Sequence, residues 1–234
     1  MKKISYAIEN NRAVITMDDG KANAMDFDYF EEMNKALAEV ESAGSKAVII
    51  KGRQGFFSGG LDVKLIATLA PTDLDRLAET FARTMLRVFL YPIPTVAVCT
   101  GHAIAGGAML AFACDRRYVI EGNYRIQMNE LVIGIPLPSW MLLIGKSAIP
   151  VGVQTEVLLH AKAYTPKEAC DAGIFHGLID SGADIDASLN NAVDALMGLQ
   201  RNAYSTTKRW LREKAIKEVL ALLKDELPSK DVRG

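Results

Sequence analysis

The chain has 234 residues, half of them apolar and 24% of them charged, which suits one α/β domain with a substantial buried core. Its 27 basic and 28 acidic side chains nearly cancel, which argues against a nucleic-acid-binding surface. The three cysteines lack metal-ligand spacing, and the charged N-terminus lacks the apolar segment of a signal peptide, so we expect reduced thiols, no metal and a cytoplasmic location.

Apolar periodicity and turn residues predict an alternation of strands and helices. The expected strands are residues 4–8, 13–17, 47–50, 95–99, 117–120 and 124–128. The expected helices are residues 27–40, 72–88, 107–114 and 166–172, followed by a region that is helical from residue 184 onward. Residues 56–61 and 101–107 are rich in glycine, and we expect both to form turns. The predicted organisation is an α/β core in residues 1–183 with a C-terminal helical region in residues 184–234.

Residues 88–114 contain no Asp, Glu, Lys or Arg and are long enough to span a bilayer. Pro92, Pro94 and three glycines interrupt this stretch, and His102 lies within it. A buried strand, a turn and a buried helix explain the pattern better than a membrane span does. We therefore expect no contact with a membrane.

Each of the two glycine-rich turns follows an expected buried strand and precedes an expected helix. The first contains Ser58, Gly59, Gly60, Leu61 and Asp62, and the second contains Ala105, Gly106, Gly107 and Ala108. Glycine lets a backbone approach a ligand closely, and a helix start leaves N–H groups without partners. Two such ends that face each other can bind one developing oxyanion. The alternative is that both are only tight turns.

Glu130 follows Asn129 at the end of the expected strand at residues 124–128 and precedes the apolar residues 131–135. A carboxylate among apolar neighbours loses hydration, so its pKa rises toward the range that suits proton transfer at neutral pH. A solvated glutamate at a strand end fits the local sequence equally well. The three histidines are far apart along the chain, and His102 has the surroundings of a packing residue rather than of a catalyst.

Four segments, in this order, resemble motifs of the crotonase, or enoyl-CoA hydratase/isomerase, superfamily. They are residues 23–25 (Asn-Ala-Met), 57–62 (Phe-Ser-Gly-Gly-Leu-Asp), 101–115 and 164–180. Gly59 stands where the family usually has alanine. The resemblance implies a ClpP-like spiral of ββα units with a C-terminal helical region that serves in trimer assembly.

The resemblance also implies the roles of individual residues. The oxyanion hole of the family uses two backbone N–H groups, which by position belong to Leu61 and Gly106. The substrate-binding residues that it implies are Ser58, Gly59, Gly60, Leu61, Asp62, Ala24, Gly106 and Asn129. The substrate is an acyl-coenzyme A thioester, so coenzyme A arrives with the substrate and no separate cofactor is expected.

One departure from the family pattern bears on the reaction. Hydratases of the family carry two glutamates, one matching Glu130 and one in the helix after the second glycine turn, where this chain has Met109. Adding water across a double bond calls for two proton-moving groups, whereas moving a double bond from C3 to C2 calls for one. The segment around Asn129 and Glu130, with Trp140 beyond it, is similar to mitochondrial-type Δ3,Δ2-enoyl-CoA isomerases. We therefore expect an isomerase that uses Glu130 as base and acid.

Other readings stay open at this point. The same scaffold supports hydration, hydrolysis or decarboxylation of acyl-CoA. A non-catalytic member could bind CoA esters or RNA, although the balanced charge argues against RNA.

The C-terminal region also bears on assembly. It places a stripe of Leu211, Ala215, Val219 and Leu222 on one helical face, which must pack on its own core or on a neighbour. The resemblance favours the neighbour, in a homotrimer or a dimer of trimers.

Overall fold

The computed structural model describes residues 2–230, which form two β-sheets surrounded by helices. One sheet has six strands in the order β1-β2-β3-β5-β7-β9, and the other has three in the order β4-β6-β8. The strands are β1 (Ile4–Glu9), β2 (Arg12–Met17), β3 (Ala47–Lys51), β4 (Gly55–Ser58), β5 (Thr95–Cys99), β6 (Gly101–Ile104), β7 (Arg116–Ile120), β8 (Ile126–Gln127) and β9 (Gly177–Ile179).

Nine α-helices are present within the described part of the chain, together with short 3₁₀ turns. The helices are α1 (Phe27–Ser42), α2 (Val63–Ile66), α3 (Pro71–Phe89), α4 (Gly106–Ala113), α5 (Ser139–Ala148), α6 (Gln154–Leu158), α7 (Pro166–Asp171), α8 (Ile185–Met197) and α9 (Arg201–Leu222). The 3₁₀ turns are Glu130–Ile133, Val151–Val153 and Pro228–Lys230.

From β3 onward, consecutive strands alternate between the two sheets, which confirms the predicted spiral of ββα units. Strands β3, β5 and β7 lie in the large sheet, and each is followed by a strand of the small sheet, β4, β6 or β8, and then by helices. All these pairings are parallel, and only the hairpin of β1 and β2 is antiparallel among the strands of the described residues. Parallel pairing needs a crossover between neighbours, and here the small-sheet strand and its helix supply it.

Local sequence explains the hairpin and the first layer of core. Asn10 and Asn11 join β1 to β2 with φ angles of 51° and 63°, as a tight hairpin turn requires and as asparagine tolerates. In β2, Ala13, Ile15 and Met17 are fully buried and alternate with partly exposed residues. The period of two therefore directs one face of the strand into the core.

The two glycine-rich segments differ from the prediction, because both begin as strands. Residues 101–104 form β6, and residues 55–58 form β4, with the turns only after them. A Cβ on Gly101 would lie 2.0 Å from the carbonyl carbon of Gly55, so the glycine serves a close approach between two strands. The expected strand at residues 124–128 is reduced to β8, and α5, which begins after Pro138, was not anticipated.

The stretch without charges at residues 88–114 is divided among the end of α3, β5, β6 and α4. Within residues 2–230, none of the helices combines the length and the apolar content needed to cross a bilayer.

After β9 the described chain is helical, and α9 is fastened to the core by buried charges. The Asp115 carboxylate accepts hydrogen bonds from Tyr204 (2.8 Å), Lys208 Nζ (2.7 Å) and Arg212 Nη1 (2.9 Å), and from the backbone N–H of Thr95 (2.9 Å). Burial acts to raise the pKa of Asp115, but Lys208 and Arg212 hold it below its usual value. Asp115 therefore stays ionised and links α9 to β5.

The predicted apolar stripe on α9 is only partly turned toward the core. Leu211 is 75% exposed and Leu222 is 47% exposed, whereas Val219 packs against the core. Lys208 and Ile216 supply the buried side of the helix. The exposed leucines leave apolar surface that a neighbouring subunit could cover. Assembly through this stripe stays a prediction.

Candidate active site

The site lies where the three parallel strands of the small sheet end. The glycine turn of residues 59–61 follows β4, Ala105 and Gly106 follow β6, and Asn129 and Glu130 come shortly after β8. The backbone N–H of Ala105 donates to the carbonyl of Gln127 at 2.8 Å, which ties the ends of β6 and β8 together. Because parallel strands end at the same edge of a sheet, the three segments meet there.

The first turn is held by a paired segment, residues 22–25, that runs beside it. The N–H of Met25 donates to the Gly60 carbonyl at 2.8 Å, and the N–H of Asp62 donates to the Met25 carbonyl at 3.0 Å. This bridge leaves the intervening N–H of Leu61 on the opposite side, and it has no acceptor among the residues that the structure describes. The turn therefore offers one unused donor.

The second turn supplies another donor. Gly106 is the first residue of α4, and its N–H likewise finds no acceptor within residues 2–230. Ala105, just before it, has φ 50° and ψ −120°, a conformation that L-residues rarely adopt. The strained turn aims the start of α4 at the first turn, and the helix dipole adds positive potential there.

Contact between the two turns depends on glycine. Gly60 has φ +86°, and a Cβ on it would lie 2.9 Å from the nitrogen of Gly106. A Cβ on Gly107 would lie 2.1 Å from the Ser58 carbonyl oxygen. By contrast, a Cβ on Gly59 would meet Ala22 at 3.5 Å, an ordinary contact. Gly60 and Gly107 are therefore required by the geometry, and Gly59 is not.

Glu130 opens the 3₁₀ turn after β8 and is 6% exposed. Burial raises the pKa of this carboxyl to about 7, against the smaller opposing effect of a hydrogen bond from its own backbone N–H. Its Oε2 is buried, as is Oδ1 of Asn129, and neither oxygen has a hydrogen-bond donor in the described part of the chain. A buried acceptor without a donor is costly, so the pair of oxygens is suited to a ligand or a proton.

An apolar wall stands beside the second turn. A Cβ on Gly106 would lie 3.0 Å from Phe81 Cζ and 3.2 Å from Met25 Sδ. Phe81 in turn packs edge-to-face on Trp140 of α5, with ring centroids 5.0 Å apart. Met109 is fully buried in α4, whose residues are buried throughout. A ligand group that enters beside the N–H groups of Leu61 and Gly106 would therefore meet apolar side chains.

The structure brings the predicted site residues to one edge, but they play different parts. The Ser58 hydroxyl is fully buried, donates to the Asn23 carbonyl at 2.7 Å and accepts from the Gly60 N–H at 3.1 Å. Asp62 caps α2 through the N–H groups of residues 64 and 65. Ala24 is half-buried in the paired segment. These contacts hold the turn in shape, whatever else the residues contact.

Some residues at the site were missed from the sequence. Asn23 is 1% exposed, and its amide donates to the carbonyls of Met17 (2.9 Å) and Phe57 (3.1 Å), so it pins the paired segment to β4. Phe81 and Trp140 form the wall from separate helices. Asn23 lies in a recognised motif, whereas Phe81 carries no local signal, because it reads as one more core position of an amphipathic helix.

His102 is a packing residue in the structure, as expected. Its Nδ1 accepts from the backbone N–H of Arg125 at 3.0 Å, and its ring lies against Phe56 and Tyr124 with centroids 5.2 and 5.5 Å away. Burial, and secondarily the charge of Arg125, lowers its pKa. The neutral imidazole is thereby favoured.

Known proteins share both sequence and architecture with this chain. A protein of Bacillus subtilis named as a probable enoyl-CoA hydratase is 33% identical over 202 residues, which are 84% of this chain and 75% of the relative. The human mitochondrial enoyl-CoA delta isomerase 1 is 23% identical over 204 residues, which are 86% of this chain and 67% of the relative.

Solved structures agree. A Mycobacterium tuberculosis protein superposes with a TM-score of 0.87 at 29% identity and covers 96% of this chain and 97% of its own. It is named as an enoyl-CoA isomerase in that solved structure and as a probable enoyl-CoA hydratase in another. The human mitochondrial delta3-delta2-enoyl-CoA isomerase has a TM-score of 0.91 at 20% identity. The match covers 98% of this chain and 92% of the isomerase, and the two share the fold. The family model described as enoyl-CoA hydratase/isomerase matches residues 7–227. With that match over nearly its whole length, this chain belongs to the enoyl-CoA hydratase/isomerase family and has the crotonase fold.

Proposed function

We propose that this chain is an acyl-CoA enzyme that moves the double bond of a 3-enoyl-CoA thioester to the 2-position. The observation that carries the proposal is the buried carboxylate of Glu130, with one oxygen unpaired within the described residues, at the same sheet edge as two unused backbone N–H groups. A carboxylate with a pKa of about 7 is ionised in a large fraction at neutral pH and can both take and return a proton.

In the proposed reaction, Glu130 removes a proton from C2 of the substrate, and the electrons move into the thioester oxygen. The N–H groups of Leu61 and Gly106 donate to the resulting enolate oxygen. The electrons then return, the double bond forms between C2 and C3, and Glu130 delivers the proton to C4. The negative charge exists mainly in the transition state and the intermediate, so the two preorganised donors lower the barrier more than they strengthen substrate binding.

The apolar α4 favours isomerisation over hydration. Where hydratases of the family have a second glutamate, this chain has the fully buried Met109, which can neither orient a water molecule nor move a proton. Hydration is the second candidate, since several relatives, including the one from Bacillus subtilis, are named as hydratases. We propose no cofactor beyond the coenzyme A of the substrate.

A product screen tests the proposal. Purified protein is incubated with 3-enoyl-CoA and 2-enoyl-CoA thioesters of several chain lengths. The products are separated by chromatography, and their masses are measured by mass spectrometry. Isomerisation leaves the mass unchanged, hydration adds one water, and hydrolysis releases free coenzyme A. The proposal predicts consumption of 3-enoyl-CoA without a change of mass, and a product that carries added water as the main outcome would overturn it.

A further inference from the structure

The last described residues, 223–230, cross the helices that carry the apolar wall, and we call them the C-terminal strap. Leu223 at its start is 4% exposed and packs in the main core. Beyond it, Glu226 contacts α5 and Ser229 contacts α3. The strap therefore reaches two helices that are far from it along the chain.

The contact with α5 is a helix cap supplied from 87 residues away. The N-cap position of α5 is Pro138, which has no side-chain hydrogen bond to offer. The Glu226 carboxylate takes its place by accepting from the backbone N–H of Ser139 at 2.9 Å and from the Ser139 hydroxyl. A negative charge at a helix N-terminus satisfies the free N–H groups and interacts favourably with the dipole.

The contact with α3 anchors the other end of the strap. The backbone N–H of Ser229 donates to Asp75 Oδ1 at 2.9 Å, and its hydroxyl donates to Asp75 Oδ2 at 2.5 Å. Asp75 and Phe81 belong to the same helix, while Ser139 precedes Trp140 in α5. The strap thus bridges the two helices whose aromatic rings meet beside Gly106.

We propose that Glu226 is a positioning residue for acyl-group binding: through the start of α5 it holds Trp140 against Phe81 and so fixes the apolar wall. The inference rests on the proposed acyl-CoA function and extends it to a residue that is not itself at the reacting atoms. Without the cap, the first turn of α5 frays and the Trp140 ring moves away from Phe81. The acyl group then loses part of its apolar contact, whereas the coenzyme A moiety keeps its own.

The test compares Glu226→Ala with Glu226→Gln, which keeps an acceptor oxygen but not the charge. The matched control is Glu218→Ala, at an exposed glutamate of α9. All variants are made in a Trp210→Phe background, so that Trp140 is the only tryptophan left of the two in the chain. Emission and acrylamide quenching then report on Trp140, and calorimetry compares acyl-CoA with free coenzyme A.

For Glu226→Ala we expect a red shift of the Trp140 emission and stronger quenching by acrylamide. The affinity for acyl-CoA should fall, and KM should rise, by about five- to tenfold. Free coenzyme A affinity should be unchanged, kcat should fall less than KM rises, and Glu226→Gln should lie between wild type and Glu226→Ala. Unchanged Trp140 emission, or equal weakening of acyl-CoA and free coenzyme A, would overturn the inference. If Glu226→Ala does not fold, the same measurements on Glu226→Gln decide.

Binding and fluorescence need no turnover, so the two proposals fail separately. A wild type that binds acyl-CoA but does not convert 3-enoyl-CoA refutes the proposed reaction and leaves the inference about Glu226 standing. If wild type isomerises 3-enoyl-CoA and Glu226→Ala gives the same results as the Glu218→Ala control, only the inference about Glu226 is refuted.

Discussion

Replacing Glu130 by glutamine removes the ionisable group while keeping its shape. Burial raises the pKa of Glu130 from 4.5 to about 7, so between these values the folded protein keeps a proton that the unfolded chain has released. The stability that this proton provides is present below pH 4.5 and is lost as the pH rises through about 7. By linkage, the loss amounts to at most about 3 kcal/mol of unfolding free energy.

Glutamine does not titrate, so the unfolding free energy of Glu130→Gln should not show this fall. The unfolding free energies of the two proteins should therefore diverge with rising pH. Between pH 5 and pH 8, the unfolding free energy of the variant should rise relative to that of wild type by at most about 3 kcal/mol. For a chain of this size that corresponds to a shift in Tm of about 6 to 12 °C. The difference in unfolding free energy between the two proteins at pH 5 measures the cost of the amide itself. Only the change of that difference with pH reports the ionisation of Glu130.

Activity should change in the opposite direction. If Glu130 is the base, kcat/KM of wild type should rise with pH, from about one-tenth of its plateau at pH 6 to about nine-tenths at pH 8. Glu130→Gln should lose roughly two orders of magnitude in rate at every pH and keep acyl-CoA binding. Glu121→Gln, at an exposed glutamate, serves as the control for both assays.

Urea unfolding between pH 5 and pH 8 and steady-state kinetics over the same range provide the data. Parallel stability curves for wild type and Glu130→Gln would show that this carboxyl does not titrate near 7, and the burial argument would then be wrong. A variant that turns over as fast as wild type would remove Glu130 from the mechanism.

Three further predictions concern the turns, the α9 anchor and assembly. Gly60→Ala should lower kcat by about 10²-fold or more, because positive φ and the contact with Gly106 both exclude a Cβ, whereas Gly59→Ala should stay near wild-type activity; similar kinetics for both would refute the assigned donors. Asp115→Asn should cost about 3 kcal/mol or more in urea unfolding, because Lys208 is left buried without its counter-charge, and a loss below about 1 kcal/mol would contradict this. Light scattering should give a trimer or a multiple of it, and a monomer mass across a dilution series would rule that assembly out.

Local sequence patterns were sufficient to predict an element where the contacts that form it lie within that element. The helices expected at residues 27–40 and 166–172 appear as α1 and α7, and the structure shows the local contacts that begin them, an Asp26 cap at α1 and a capping box of Thr165 and Glu168 at α7. The buried character of α4 also follows from its composition. In each case the deciding contacts lie within a few residues of chain, so the sequence itself contains the information.

Glycine was the point at which local reasoning failed. Gly101 was expected in a turn, but it allows β6 to approach β4 closely within one sheet, whereas Gly55 opposite it has φ +89° and open space where a Cβ would stand. A glycine that permits positive φ and a glycine that permits close contact look alike in a sequence. Only the neighbour, which comes from a distant part of the chain, tells them apart.

For the site, the sequence alone predicted the two glycine turns and a glutamate after a strand, and the family resemblance joined them into one hypothesis. It left open whether Glu130 is solvated or buried, because burial depends on what the rest of the chain packs around it. The tertiary structure decided that it is buried and that one of its oxygens is unpaired. The raised pKa follows from that packing and from no property of the local segment.

Contacts between distant segments were equally beyond the sequence. The Arg117 guanidinium is 5% exposed and donates at 3.0 Å each to the carbonyls of Cys114, Ala148 and Ile174, so that it closes the ends of α4 and α5. Nothing in a run of two arginines distinguishes it from a surface residue. Periodicity and turn chemistry determined the elements of this protein, because those act within a few residues of chain. The small-sheet edge, where the turns after β4 and β6 meet Glu130, was decided only by the spiral that brings three strand ends together.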